Sequence, residues 1–125
     1  KIKGYGYMIY LALSEDLFKK LKEALEKHKI RYKLIEDGET LLKLAKKEKP
    51  KLIILEKDIP LLDGFATTLL LKSNPETQTI PIVGVCKVPL KEEEHRAKDC
   101  GCDDILVYPF KEEEFLNKVL KYIKK

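Results

Sequence analysis

The chain has 125 residues, of which 44% are hydrophobic, and a formal net charge of +4. That length buries a single core without disulfides or a structural metal, and the charges are interspersed rather than gathered into the Lys/Arg stripe of a dedicated nucleic-acid binder. The longest apolar run falls far short of the roughly 18 residues that would cross a membrane.

In chain order, Tyr7–Leu13 is a continuous apolar run and predicts a strand buried on both faces. Leu17, Leu21, Ala24 and Leu25 then form one stripe on a helix from about Asp16 to His28. Ser14 can cap its start, and Glu15 and Asp16 suit the positive end of its dipole. Tyr32–Ile35 is a weaker run, expected as a strand nearer the sheet edge, and Leu41, Leu42 and Ala45 mark a helix after Gly38. Lys51–Leu55 predicts a third strand, and Phe65, Ala66, Leu69 and Leu70 give the apolar stripe of a third helix ending before Asn74. Ile82–Val85 and Ile105–Val107 predict two further strands. Between them Lys91–Cys100 is nearly all charged, with Ala97 its one aliphatic residue, so a thinly anchored helix is expected. The last helix, Lys111 to Lys124, carries Phe115, Leu116, Val119, Leu120 and Ile123 under a Lys/Glu face.

Alternation of strands and helices predicts an α/β, flavodoxin-like (βα)5 fold, a doubly wound parallel sheet of order 2-1-3-4-5. In such a sheet the binding crevice lies at the carboxyl ends of the strands, where the winding reverses. Ala12, Leu13 and Ser14 should meet Glu56, Lys57 and Asp58 there, flanked by Cys86, Lys87 and Tyr108.

The segment from Lys49 to Phe65 reads K-P-K-L-I-I-L-E-K-D-I-P-L-L-D-G-F. It resembles the third strand and following loop of response-regulator receiver domains, the chemotaxis-type (CheY-like) family of two-component signal transduction. Further likeness lies in Lys72-Ser73-Asn74-Pro75, in Ile80-Pro81-Ile82-Val83, and in the run from Gly101 to Phe110, similar to the family's G-A-D-D-Y-L-x-K-P-F. It spans nearly the whole chain, so one receiver-like domain over 1–125, with a core at about 7–123, is expected. The chain does not begin with Met and is expected to be part of a longer signalling protein.

The resemblance implies a phosphoryl transfer from a partner kinase to an aspartate, with a divalent metal held by an acidic pair after the first strand. Each position implied by the family is altered. The acidic pair falls on Ala12 and Leu13, the phosphoacceptor on Glu56, the Ser/Thr on Cys86, the Lys on Tyr108 and the aromatic of the fifth strand on Ile105. Metal stabilisation of such a step is worth several kcal/mol, or several decades in rate. The extra methylene of Glu adds a displacement of about 1 Å, which can cost about a hundredfold. A degenerate, non-catalytic pseudo-receiver is therefore expected, with Glu56 as the charge remaining in the crevice.

Glu56 reads either as a built-in mimic of a phosphorylated aspartate or as a crevice carboxylate hydrogen-bonded to Ser14 or to backbone N–H groups. Glu56 and Asp58 alone are a poor Mg²⁺ site, because that ion wants octahedral oxygen ligation. No cofactor is expected: no Gly-rich loop follows the first strand to cradle a flavin or nucleotide phosphate. Cys100 and Cys102 lack the four ligands of structural zinc, and His28 and His95 lie among surface charges. A protein partner, or a second copy, is expected on the face of the fourth helix, fifth strand and fifth helix, through Ile105, Tyr108 and Phe110. Two other readings fit the same residues: an atypical receiver accepting phosphate at Glu56 or Asp58, and a ligand- or nucleic-acid-binding regulatory domain. Three cysteines cannot all pair and no signal peptide is visible, so a cytoplasmic setting is expected. The Lys/Glu excess, 23 Lys and 14 Glu, resembles heat-adapted proteins.

Overall fold

The computed structural model describes residues 9–87 and 91–124. Tyr7 and Met8, the expected start of the first strand, lie outside them. Five strands alternate with five helices: β1 (Ile9–Ala12), α1 (Glu15–Lys27), β2 (Tyr32–Leu34), α2 (Gly38–Glu48), β3 (Leu52–Glu56), α3 (Gly64–Ser73), β4 (Ile82–Lys87), α4 (Lys91–Cys100), β5 (Asp104–Tyr108) and α5 (Glu112–Ile123). The sheet is parallel, in the order β2-β1-β3-β4-β5. This is the flavodoxin-like winding.

The element ends have local causes. Ser14, Asp37 and Asp63 cap α1, α2 and α3, each accepting from a backbone N–H three residues on. The α2 helix stops at Lys49, whose φ of 48° is left-handed. β1 and β3 are buried on both faces, as their unbroken apolar runs require, whereas edge strand β2 is half-exposed.

Because successive side chains of a strand point to opposite faces, the core divides in two. Ile9, Leu11, Ile54, Val85 and Leu106 meet Leu21, Leu25, Phe115 and Val119 under α1 and α5. Tyr10, Ala12, Ile53 and Leu55 meet Leu41, Ala45 and Leu71 under α2 and α3. A third, small cluster of Phe65, Cys86 and Ala97 seats α4, whose anchorage is as thin as its charged sequence implies.

Asp104 ties β5 to α5. Its carboxylate accepts from Lys118 Nζ at 2.6 Å and from Tyr122 Oη at 3.2 Å. Partial burial alone would raise its pKa, but the Lys118 ammonium, the Ile105 N–H and the Tyr122 hydroxyl outweigh burial and hold it below the ordinary value. A depressed folded-state pKa contributes stability above the unfolded value, about pH 4, that is lost as pH falls through the lower folded value. Asp104→Asn should therefore flatten the acid limb of a melting-temperature profile below about pH 4. An unchanged limb would show that the cluster carries no linkage.

Candidate functional site

The carboxyl ends of β1, β3, β4 and β5 meet at a cleft of about 310 Å³ lined by Ser14, Asp16, Leu17, Lys20, Glu56, Lys87 and Tyr108. Glu56 closes β3 and is 3% exposed. A carboxylate taken that far from water needs partners, and two are in place. The Ser14 backbone N–H donates to Oε1, while the Ser14 hydroxyl accepts from Leu17 N at 3.3 Å and starts α1. Lys87 Nζ lies 3.6 Å from Oε2.

Register explains why Lys87 reaches Glu56. Glu56 pairs with Val85 across the β3–β4 ladder, and Lys87 pairs with Tyr108 across β4–β5. Lys87 stands two residues past Val85, so it shares a face with Val85 and thus with Glu56. Tyr108 lies on that face too. Its hydroxyl is hydrogen-bonded to Lys20 of α1, whose ammonium also sits 5.0 Å from the ring centroid. This hydrogen bond raises the Lys20 pKa. The Tyr108 ring packs edge-on against Phe110, which stacks on Phe115.

Charge in the cleft corrects the expectation from sequence. The crevice is not left with Glu56 alone: Lys87, Lys20 and Asp16 line it too. The sequence places Lys87 only as a residue flanking the crevice. The signal that finds its role is the two-residue strand period combined with strand register.

The other expected positions are dispersed. Ala12 is wholly buried under α2 and α3, and Leu13 points to the opposite core. Cys86 is buried against Phe65 and Ala97, and Ile105 half-buries against the same cluster. Asp58 is exposed and does not line the cleft. Cys100 and Cys102 are free thiols, and burial pushes the Cys102 pKa up to about 11.

These donors do not fit a divalent cation. Ala12 and Leu13 offer no oxygen side chain, and both Glu56 oxygens are engaged, one by a cation. Among the described residues no three His, Cys, Asp or Glu side chains are grouped to hold a metal ion. Nor is any described helix long and apolar enough to cross a membrane.

The family model of the response regulator receiver domain matches residues 14–120. The chain belongs to the response regulator receiver family. Among curated relatives, the polar-differentiation response regulators DivK of Brucella anthropi and Brucella ovis are each 29% identical to this receiver over 111 residues, 89% of this chain and 88% of theirs. The receiver domain of a Pseudomonas aeruginosa sensor histidine kinase superposes with a TM-score of 0.83 at 23% identity, covering 96% of this chain and 99% of that one. That structure has magnesium coordinated in its active site cleft. The receiver domain of a Syntrophus aciditrophicus histidine kinase gives a TM-score of 0.84 at 24% identity, covering 95% and 90%. At these identities the superpositions speak to the fold alone.

Proposed function

We propose that this receiver is a non-catalytic signalling module that works by protein contact and takes no phosphoryl group at its third-strand carboxylate. The observation that carries this reading is the engagement of Glu56 by the Ser14 N–H and the Lys87 ammonium, beside an Ala12 and Leu13 that offer a metal no oxygen side chain. A phosphoryl donor would have to approach a carboxylate already hydrogen-bonded and ion-paired. It would lack a divalent cation to offset its own negative charge, with only the Lys87 and Lys20 ammonium groups lining the cleft among the described residues. The contact face proposed is α4, β5 and α5, where Tyr108 and Phe110 are half-exposed and held by ring packing.

Incubation of the full chain with acetyl phosphate and millimolar Mg²⁺ should leave the intact mass unchanged. A phosphoryl increment mapped to Glu56 or Asp58 would overturn the reading in favour of an atypical phosphorelay receiver. A DNA affinity that falls steeply with salt would instead favour a nucleic-acid-binding domain.

A further inference from the structure

Three of the six side chains that seat α4 are cysteines. The cluster is Phe65, Cys86 and Ala97, with Cys100, Cys102 and Ile105 packed against it. All three sulfurs are free thiols. Ala97 is the one aliphatic residue that α4 itself contributes, so a change at the cysteines is a change in how the helix is held.

Cys100 and Cys102 stand on either side of the helix stop. The Gly101 N–H donates to Lys98 O at 3.0 Å and the Cys102 N–H to Ala97 O at 3.1 Å, with Gly101 at φ 110°. These are the paired bonds and left-handed glycine of a Schellman end. Cys102 then folds back over the sheet. Its Sγ lies 2.9 Å from where a Cβ on Gly84 would sit, a space open only because that residue is glycine. The thiol also points to Thr68 Oγ1 at 4.0 Å. Thr68 is there because α3 does not bury the stripe expected from its sequence. Leu69 and Leu70 are 52% and 47% exposed, while Thr67 and Thr68 are buried, their hydroxyls donating to Asp63 O and Gly64 O, each at 2.8 Å.

Chain geometry puts the two thiols within bridging reach. Residues two apart have Cα atoms at most about 7.6 Å apart, and a tight turn shortens that toward the roughly 4.4–6.8 Å that a disulfide spans. Access separates them from the third cysteine: Cys100 and Cys102 are half-buried, whereas Cys86 is 1% exposed within β4. Burial raises the pKa of both half-buried thiols, and the Arg96 guanidinium opposes the rise at Cys100.

We infer that Cys100 and Cys102 form a redox latch on α4, in which a low-molecular-weight disulfide oxidises the pair to an intrachain disulfide and so loosens the helix. The Cys100 thiolate attacks one sulfur of the oxidant, forming a mixed disulfide and expelling one thiolate. The Cys102 thiolate then attacks the Cys100 sulfur and expels the second. The two cysteines lose two electrons, the oxidant gains them, and the two thiol protons pass to the expelled thiolates. The sulfurs are not bonded in the reduced structure. Closure therefore needs Cys102 Sγ to leave Gly84 and Thr68, or the last turn of α4 to unwind toward it, and either opens the cluster that holds the helix. A ring closed across one residue is tight, and strained disulfides are readily reduced again, as a switch requires.

The probe is oxidised glutathione, added in excess to the reduced full chain at about pH 8.5, where thiolate is present. The intact mass should fall by two hydrogens, and peptide mapping should place the bond between Cys100 and Cys102. Amide exchange in α4 should quicken about tenfold or more as its seat opens, and dithiothreitol should reverse both changes. Cys102→Ser should stop at a glutathione adduct on Cys100, while Cys100→Ser should keep its mass and its α4 exchange under the oxidant. An unchanged mass of the native chain, a persistent glutathione adduct on it, a bond that includes Cys86, or a dimer joined by disulfide would overturn the proposal. So would a Cys100–Cys102 bond that leaves α4 exchange unmoved.

Discussion

Aspartates at both Ala12 and Leu13 are expected to lower the unfolding free energy by about 4 kcal/mol at pH 7 without divalent cations, the scale seen when a buried charge is left unpaired. Ala12 is wholly buried and Leu13 is 9% exposed, and they point to opposite cores. Each new carboxylate would replace apolar burial, and the one at Leu13 would share a core face with Glu56, adding like-charge repulsion to desolvation. The loss should shrink toward about pH 4, where the new carboxylates protonate. Urea melts with a chelator present read this directly. An unchanged or raised midpoint would mean that the cleft still has room and counter-charge for an acidic pair.

Gly64→Ala should cost about 3 kcal/mol, at the upper end for overpacking, because the clash is with backbone. A Cβ there would lie 2.1 Å from the Glu56 carbonyl oxygen and 3.0 Å from Lys57 Cα. Neither can rotate aside as a side chain would. The carboxyl end of β3 must shift, and with it the Glu56 carboxylate, the Ser14 hydrogen bond and the Lys87 ion pair. The amide resonance of Ser14 should therefore move along with the lowered denaturation midpoint. A loss of stability with an unmoved Ser14 amide would show that α3 yields instead of β3.

These two substitutions mark how much of the site was legible. Motif spacing alone proposes where the family's site positions fall, at Ala12, Leu13, Cys86 and Tyr108, because the segments flanking them resemble the receiver pattern. What lines the cleft beside them is not legible in that way. Lys87 follows the apolar run Ile82–Val85 by two residues, and Lys20 and Asp16 are charges of an amphipathic helix. Their convergence on Glu56 and Tyr108 depends on strand register and on the seat of α1, which join residues far apart in the chain.

Local patterning along the chain is enough to set the winding. Unbroken apolar runs alternating with helical stripes have one economical solution in a right-handed parallel sheet, and the chain ends of β1 and β3 then face one crevice. The Ser14 cap is legible in the same local way, and Asp37 and Asp63 cap α2 and α3 by the same three-residue reach. Tertiary structure alone decided which side of α3 is buried. Thr67 and Thr68 satisfy their hydroxyls within the helix and fit closely beneath it, while Leu69 and Leu70 are left outside. Periodicity weighs hydrophobicity and cannot see that a satisfied hydroxyl buries cheaply. It also does not show that this highly charged chain keeps a pair of opposite charges, Glu56 and Lys87, where its departures from the receiver motif predict Glu56 as the one charge left.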